Sequence, residues 1–444
     1  MLTAFARAFR TPDLRRKLLF TLAVMAIFRL GSYVPAPGVN YPNVRQCLAL
    51  MEGDTSVLGL VNVFSGGALL QLSIFALGIM PYITASIIIQ LLRVVIPRFE
   101  TLYKEGQAGQ ATLTQYTRYL TIALAILQSV TIITTARAGF LFPFCPWPVI
   151  ADNSIATMLL MIVAMTAGTA LIMWLGELIT ERGIGNGMSI LIFTSIASGF
   201  PTGLISVWRG DLPDPFNAWV PGPNGIRNLL IILAMLVLVM GAVVFVEQST
   251  RRVPVQYAKR MVGRKMYGGT STYIPIKINM AGVIPVIFAS SLLAVPTLIA
   301  QFGNQETGWV QWITTHLASQ ASPLYIAIYL LLILFFCFFY TSITFDPDEV
   351  ADNMKKYGGF VPGIRAGRPT ADYLDYITTR ITAAGAAYLV VLAMIPTLIV
   401  MILGLNQALP FGGTSILIMV GVGLETVKQI DSQLQQRYYE GFLK

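Results

Sequence analysis

Charged residues are scarce in this chain. Asp, Glu, Lys and Arg together make up 11% of its 444 residues, whereas they make up about 25% of an average soluble domain. Hydrophobic residues contribute 55%, and the few charges cluster so that long runs of sequence carry none. A soluble globular domain is therefore excluded, and the composition predicts a polytopic helical membrane protein.

Histidine and cysteine are rarer still. The single histidine, His316, falls in a polar loop, and Cys47, Cys145 and Cys337 have neither CxxC nor metal-ligand spacing. We therefore expect no metal site, no cofactor and no enzymatic activity. Cys47 and Cys145 lie in loops on the same predicted side of the membrane, which allows a disulfide, but we expect two unpaired thiols.

Ionisable residues are also missing from the middle of the predicted spans. Ion-coupled transporters use intramembrane carboxylates, histidines or basic residues as relays, but the acidic residues here lie at helix ends or in loops. The spans offer apolar side chains instead, among them Ile83, Ile192, Ile287 and Ile418. These isoleucines suit either ordinary packing or a hydrophobic constriction that closes a pore by dewetting, and the sequence alone does not choose between the two.

The apolar run over residues 57–96 is the stretch around which the chain is organised. A single helix needs only about 20 apolar residues to cross a bilayer, and Ser65-Gly66-Gly67 interrupts this run. Residues 72–96 are long enough to span, whereas about 57–70 are too few. Such a short element is tolerated in a membrane only inside protein or beside a watery cavity. We therefore predict that 57–70 is a re-entrant half-helix in the middle of the bundle.

Hydropathy predicts ten spans, and basic residues give their orientation. Lys and Arg concentrate before the first span and in the loops 248–277 and 344–374, so both termini are predicted to be cytoplasmic. Ten is twice five, which suggests two halves of opposite orientation, as in many transport proteins. The predicted segments are a cytoplasmic N-terminus (1–17), a first half with spans one to five (18–208), a second half with spans six to ten (209–430) and a cytoplasmic tail (431–444).

The two basic loops are larger than topology alone requires. The first interleaves arginine and lysine with tyrosine, and the second ends in a Pro-Gly bend that carries Arg365. Such surfaces suit an acidic protein or ribosomal RNA. We therefore predict that these loops form a docking surface for a large partner.

Six separated strings resemble one known family. They are ALGIMPYITASIIIQLL (76–92), GELITERGIGNGMSILIF (176–193), YAKRMVGRK (257–265), KINMAGVIPVIFASS (277–291), FFCFFYTSITFDPDEVADNMKKYGGFVPGIRAGRPT (335–370) and FGGTSILI (411–418). In this order they closely resemble the SecY family, which comprises the channel subunits of protein-secretion translocases. The resemblance covers essentially the whole chain.

The resemblance implies an all-α membrane protein of ten helices in two inverted five-helix halves around a central pore. Spans two/three and seven/eight would flank a lateral opening to lipid, and the half-helix would be a plug with Asn62, Phe64, Ser65, Gly66 and Gly67. By position in the strings, the pore ring falls on Ile79, Ile83, Met188, Ile192, Ile287 and Ile418. The lateral gate falls on Thr84, Gln90 and Asn279.

The implied partners are the motor ATPase SecA, the ribosome, the small membrane subunits SecE and SecG, signal sequences, nascent polypeptides and lipids. Docking residues would be Arg251, Arg252, Lys259, Arg260, Arg264, Lys265 and Arg365. The implied function is a protein-conducting channel of the cytoplasmic (inner) cell membrane. An inverted-repeat transporter of small solutes is the alternative from another class, and a structural membrane scaffold is a third.

Overall fold

A computed structural model describes most of the chain. The described residues are 11–50, 65–139, 141–142, 145–152, 154–209, 225–257, 260–262, 265–267, 271–302, 307–317, 322–403 and 413–442. The fold is mostly helical, and apolar helices follow one another with short connections, as the hydropathy of the sequence predicts.

Seven helices of the described residues up to Arg209 form the N-terminal group. They are α1 (Pro12–Gly31), α2 (Tyr41–Leu50), α3 (Met80–Val95), α4 (Pro97–Lys104), α5 (Gln107–Arg137), α6 (Ile155–Arg182) and α7 (Gly187–Arg209). Helix α5 packs between α3 and α6, and α1 packs against α6 and α7.

The C-terminal group contains seven helices and five short strands within the described residues from Gly225 onward. They are α8 (Gly225–Gln248), β1 (Thr250–Tyr257), β2 (Arg260–Val262), β3 (Lys265–Tyr267), β4 (Ser271–Lys277), α9 (Ile284–Phe302), α10 (Gly308–His316), α11 (Pro323–Thr344), α12 (Pro347–Lys356), β5 (Gly359–Phe360), α13 (Arg368–Leu403) and α14 (Gly413–Phe442). Helix α11 packs between α9 and α13, and α14 packs against α7, α8 and α13.

Six helices of the described chain are long and apolar enough to cross a membrane, namely α5 to α8, α11 and α13. Helices α3 and α4 form a seventh candidate, bent by 98° at their junction. Each predicted span overlaps one helix, but the count of ten membrane spans stays a prediction. Residues 97–118, which follow the predicted second span, are largely helical, because Pro97 begins a new helix after the extended residue Ile96.

The segment before α3 differs from its prediction. Residues 57–64 lie outside the described residues, and Ser65–Ile79 form a series of turns rather than the end of a half-helix and the start of a span. Leu72 has a φ of 47° and Gly66 and Gly67 have φ of 67° and 88°, a left-handed backbone conformation that a helix cannot contain. Helix α3 begins only at Met80, with Pro81 in its first turn.

The two basic loops fold together into one subdomain, here called the basic-loop subdomain (β1–β5 and α12). Strands β4, β1 and β5 form an antiparallel sheet in that order, and β2 and β3 form a hairpin. Beneath the sheet lies a separate apolar cluster containing Val253, Val255, Ile276, Met354 and Val361. The all-α prediction therefore holds for the helical bundle but is wrong for these loops.

The cysteine expectation is also wrong for one pair. Cys47 on α2 and Cys145 form a disulfide, with their Cα atoms 5.2 Å apart. The two residues are 98 positions apart in sequence, so their contact depends on how α2 and the loop after α5 fold onto each other. Cys337 is a free, buried thiol in α11.

His316 ends the short helix α10 rather than lying in a loop.

The three largest buried apolar clusters of the described residues organise the bundle. One lies within the N-terminal group around Val44, Ile133 and Met165. Another lies within the C-terminal group and includes Ile333 and Leu389. The third, here called the central cluster, draws residues from both groups, since it contains Ile172 and Leu191 of the first and Ile287 and Ile418 of the second. The candidate site lies in this central cluster.

Candidate functional site

All six residues of the predicted pore ring meet in the central cluster. Ile79, Met188, Ile192, Ile287 and Ile418 are buried members, with exposed fractions between 2% for Ile79 and 9% for Met188, and Ile83 packs against them half-buried. They come from the turn before α3 and from α3, α7, α9 and α14. Four separate helices thus contribute apolar side chains to one buried cluster. That these side chains form a ring around a pore stays a prediction.

Helix geometry explains the two pairs from the N-terminal group. Met188 and Ile192 are four residues apart on α7, so they lie on the same face of the helix. The Asn186 side chain fixes the start of this helix by accepting a hydrogen bond from the Met188 amide at 3.1 Å. Ile79 and Ile83 are likewise spaced by four, and the Ile83 amide donates to the Ile79 carbonyl at 3.1 Å.

Close glycine contacts allow α7 to reach the central cluster. A side chain at Gly176 would meet the Met188 sulfur, and a side chain at Gly187 would meet the Gly176 backbone. Helices α6 and α7 therefore approach nearly backbone to backbone at this level, which only glycine permits. This approach turns Met188 inward beside the isoleucines.

The Asn279 side chain fixes the position of the chain just before α9, the helix that carries Ile287. Its amide nitrogen donates to Glu247 Oε1 at 2.7 Å and to the Gly282 carbonyl at 3.2 Å. Glu247 lies in the last turn of α8, so both contacts stay within the C-terminal group. Sequence reasoning missed Glu247, although a carboxylate at the end of an apolar helix is a signal that a polar partner is near.

The three predicted lateral-gate residues do not share a hydrogen-bond network among the described residues. Thr84 donates to the Met80 carbonyl in its own helix at 3.0 Å, Gln90 is exposed, and Asn279 binds Glu247 instead. Thr84 and Gln90 are six residues apart, so they project from different faces of α3. That these three residues act together in a lateral gate stays a prediction.

Arg93 forms a hydrogen bond between the N-terminal and the C-terminal group. Sequence reasoning did not predict this bond. It lies in the last turn of α3, and its Nη2 donates to the Ile343 carbonyl of α11 at 3.3 Å. Its guanidinium also sits 3.7 Å from the centroid of the Tyr103 ring, a favourable cation–π contact. The signal in the sequence was an arginine near the end of an otherwise apolar helix, which indicates that a polar partner is near.

Part of the predicted plug is described, and it lies inside the bundle. Ser65 is 1% exposed, and its Oγ accepts a hydrogen bond from the Leu69 amide at 3.1 Å. Arg29 of α1 donates to the Gly66 carbonyl. Asn62 and Phe64 lie outside the described residues. The described end of the segment therefore enters the bundle beside α1.

The described docking residues lie in the basic-loop subdomain or directly after β5. Arg251 and Arg252 are exposed on β1, and the Arg252 guanidinium lies 4.8 Å from the Tyr273 ring centroid. Arg365 is exposed just after the turn at Gly363, and its carbonyl accepts a 2.8 Å hydrogen bond from Thr370. Arg260 and Lys265 lie in β2 and β3, whereas Lys259 and Arg264 lie outside the described residues.

Two groups of apolar helices that meet at a buried apolar cluster define a helical membrane protein of several spans, and solved structures share this fold. A structure described as that of a protein-conducting channel matches with a TM-score of 0.61 and 19% identity, covering 93% of this chain and 91% of that one. Sec61 in a canine ribosome–channel complex matches with a TM-score of 0.59, 20% identity and the same coverage. A SecY protein whose plug domain is reported to stabilise the closed channel matches with a TM-score of 0.58.

Sequence comparison identifies the family. The family model named SecY matches residues 73–427. Protein translocase subunits SecY from Streptomyces coelicolor and Mycobacterium tuberculosis are 62% and 56% identical to this chain, and each alignment covers all of both proteins. This chain belongs to the SecY family.

Proposed function

We propose that this protein is a protein-conducting channel that passes unfolded secretory polypeptides across the cytoplasmic membrane and releases transmembrane segments sideways into it. The observation that carries the proposal is the central cluster, in which apolar residues of both groups form the contact. Each group also has an apolar cluster of its own. The two groups can therefore separate at the centre without either losing its own core.

The six ring residues would seal the resting channel. A narrow apolar constriction excludes water and hydrated ions without any charged barrier, and flexible Met188 can adapt to the chain that passes. The predicted plug would lie beside this seal, because its described end is buried between α1 and α7. During transport the polypeptide would replace the contacts that the ring residues make with one another.

Lateral release requires an opening between α3 and α5 on one side and α9 and α11 on the other. The bond from Arg93 to Ile343 joins α3 to α11 across this predicted opening. A signal sequence has an apolar core of about 7–15 residues, and it would bind between these helices in place of their own contacts. By favouring the open state it would shift a pre-existing equilibrium rather than drive chemistry.

The energy for transport would come from partners on the cytoplasmic side. The exposed arginines of the basic-loop subdomain, together with the turn that presents Arg365, suit the motor ATPase SecA and the ribosome. Small membrane subunits of the SecE and SecG type would cover lipid-facing helices such as α8, whose outer side is apolar and exposed. Both termini would be cytoplasmic, with membrane lipids around the remaining surface.

Reconstituted vesicles test this function directly. With SecA and ATP, vesicles that contain this protein and its copurifying subunits should take up an unfolded secretory protein with an intact signal sequence, whereas vesicles without it should not. Uptake of amino acids or small ions down a gradient, with no polypeptide uptake, would instead favour the solute transporter. If the vesicles show neither activity, the structural membrane scaffold becomes the favoured function.

A further inference from the structure

A groove of about 620 Å³ runs between α11 and α13, at the ends of these helices that join the basic-loop subdomain. One wall comes from α11 and the residues after it and is mostly apolar, with Leu331, Leu334, Phe335, Phe338, Phe339, Thr341, Ser342, Phe345 and Pro347. Leu331 is 65% exposed and Phe335 is 56% exposed, so the groove opens on the outer surface of the helices. The other wall is one polar face of α13, with Asp375, Thr378, Thr379 and Thr382.

The groove has the length of one membrane leaflet. Leu331 and Phe345 mark its two ends along α11 and are 14 residues apart, which corresponds to about 21 Å at the rise of an α-helix. Half of a bilayer with its head groups measures about 20–22 Å, whereas a helix that crosses the hydrocarbon core needs about 30 Å. The length of the groove therefore fits a single lipid of one leaflet better than the spanning helix of a partner protein.

Two threonine hydroxyls of the polar wall have no hydrogen-bond partner among the described residues. Thr378 is 6% exposed and Thr382 is 4% exposed, and both hydroxyl oxygens are buried. A helical threonine can donate to the carbonyl four residues earlier, as Thr341 on the opposite wall does to Cys337 at 2.8 Å. A buried hydroxyl without a partner is unfavourable. Rotation about χ1 exchanges the hydroxyl and the methyl group, so each threonine can turn its hydroxyl to an acceptor in the groove.

A carboxylate lies at the end of the groove next to the basic-loop subdomain. Asp375 is exposed there and forms no ion pair with any described residue. Arg380, on the same helix, has its guanidinium over the Tyr376 ring, 4.5 Å from the centroid. A carboxylate at this level repels an anionic head group and attracts a cationic one. An ammonium group with N–H donors can also form a charge-assisted hydrogen bond with it.

We propose that this groove, here called the leaflet groove, binds one zwitterionic phospholipid whose head group carries a primary amine, such as phosphatidylethanolamine. An acyl chain packs against the apolar wall of α11. The hydroxyls of Thr378 and Thr382 donate to the ester carbonyls, and the ammonium group donates to the Asp375 carboxylate. None of these residues belongs to the predicted pore ring or lateral gate, so the lipid site does not depend on the proposed channel function.

Native mass spectrometry of the purified full-length protein, titrated with defined lipids, tests the head group. The wild type should bind phosphatidylethanolamine about tenfold more tightly than phosphatidylcholine with the same acyl chains, because a quaternary ammonium has no N–H to donate. Asp375→Asn should bind the two lipids equally. Asp372→Asn, at an exposed position of α13 outside the groove, is the matched control and should keep the preference. Equal binding of both lipids by the wild type would overturn the proposal.

Ether-linked phosphatidylethanolamine, which has no ester carbonyls, tests the threonines. The wild type should bind the ester lipid several-fold more tightly than the ether lipid, and the double variant Thr378→Val with Thr382→Val should bind both equally. Valine has nearly the shape of threonine, and removing a hydroxyl that has no partner in the protein should not lower stability, so this variant should fold. Thr344→Val is the control, because the Thr344 hydroxyl lies outside the groove and donates to the Tyr340 carbonyl at 2.7 Å. An unchanged ester preference in the double variant would contradict the proposal.

A photoreactive phenylalanine analogue at Phe338 identifies the occupant in the membrane itself. After illumination, the protein should carry the added mass of one phospholipid, predominantly phosphatidylethanolamine. Crosslinking to another protein chain would make the groove a protein interface, and the lipid site would be wrong. Adducts with every membrane lipid in proportion to its abundance would indicate ordinary boundary lipid and would overturn the proposal as well.

Discussion

Replacing Ile287 by asparagine distinguishes a seal from ordinary packing. Ile287 is 7% exposed in the central cluster, so the change removes about 1.5–3 kcal/mol of apolar burial. It also buries an amide without partners, which costs about 1–3 kcal/mol. The sum is about 2.5–6 kcal/mol, against the 5–15 kcal/mol that typically separates folded from unfolded protein.

That free energy acts differently under the two interpretations. In a packing site it lowers the stability of the whole protein, so abundance should fall. In a seal it weakens only the closed state, because the open pore is wet and solvates the amide. A loss of even 3 kcal/mol would then raise the open-to-closed ratio about a hundredfold, and we expect normal abundance, an ion leak and uptake of precursors with defective signal sequences.

The assay compares Ile287→Asn with a matched substitution away from the centre. Ile333 of α11 is fully buried in the cluster internal to the C-terminal group, so Ile333→Asn should lower abundance without allowing uptake of defective precursors. Both variants are measured for membrane level and for translocation of a signal-defective precursor into vesicles. If Ile287→Asn behaves like Ile333→Asn, the isoleucines of the central cluster are packing residues and the proposed seal is wrong.

Three further outcomes are expected. Arg365→Glu should leave abundance normal and reduce SecA-driven export at least about tenfold, because charge reversal at a contact hot spot costs several kcal/mol. The exposed control Arg137→Glu at the end of α5 should export like the wild type, and equally normal export by Arg365→Glu would count against the docking surface. Deleting residues 62–70 should leave a folded protein that still exports, and its failure to accumulate in the membrane would make the segment a packing element. Cys47→Ser with Cys145→Ser should lower stability by about 2–4 kcal/mol, and thermal unfolding of the wild type, but not of the variant, should then respond to a reducing agent.

The apolar bundle could be predicted because long hydrophobic runs carry their own signal. A helix is the structure that satisfies its backbone within one segment in lipid, so hydropathy alone located the helices from α6 to α8 closely. The resemblance to a family then selected Ile79, Ile83, Met188, Ile192, Ile287 and Ile418, which the structure brings together in one cluster.

The parts that were missed depend on tertiary contacts or on weaker signals. Val253 and Val255 alternate with exposed residues on β1, a strand pattern that the basic charges of the loop obscured. The disulfide joins positions 98 residues apart, and no local pattern predicts such a pairing. Asn279 binds Glu247 rather than the predicted gate residues of α3. The start of α9 lies beside the end of α8, and the positions of residues on separate spans of the sequence do not show this contact.

The free energy that keeps the central cluster closed determines how much a signal sequence has to contribute. Moving an equilibrium from 1:99 to 99:1 requires about 5.5 kcal/mol of differential binding. Burying one leucine or isoleucine side chain contributes about 1.5–3 kcal/mol, so two to four such side chains are sufficient, roughly the number that one face of a short apolar helix presents. A signal sequence without this apolar face lacks a few kcal/mol of the binding free energy that opening requires. Ile287→Asn removes a similar free energy from the closed state. Weakening the central cluster should therefore compensate for a defective signal sequence, whereas weakening the clusters within either group should not.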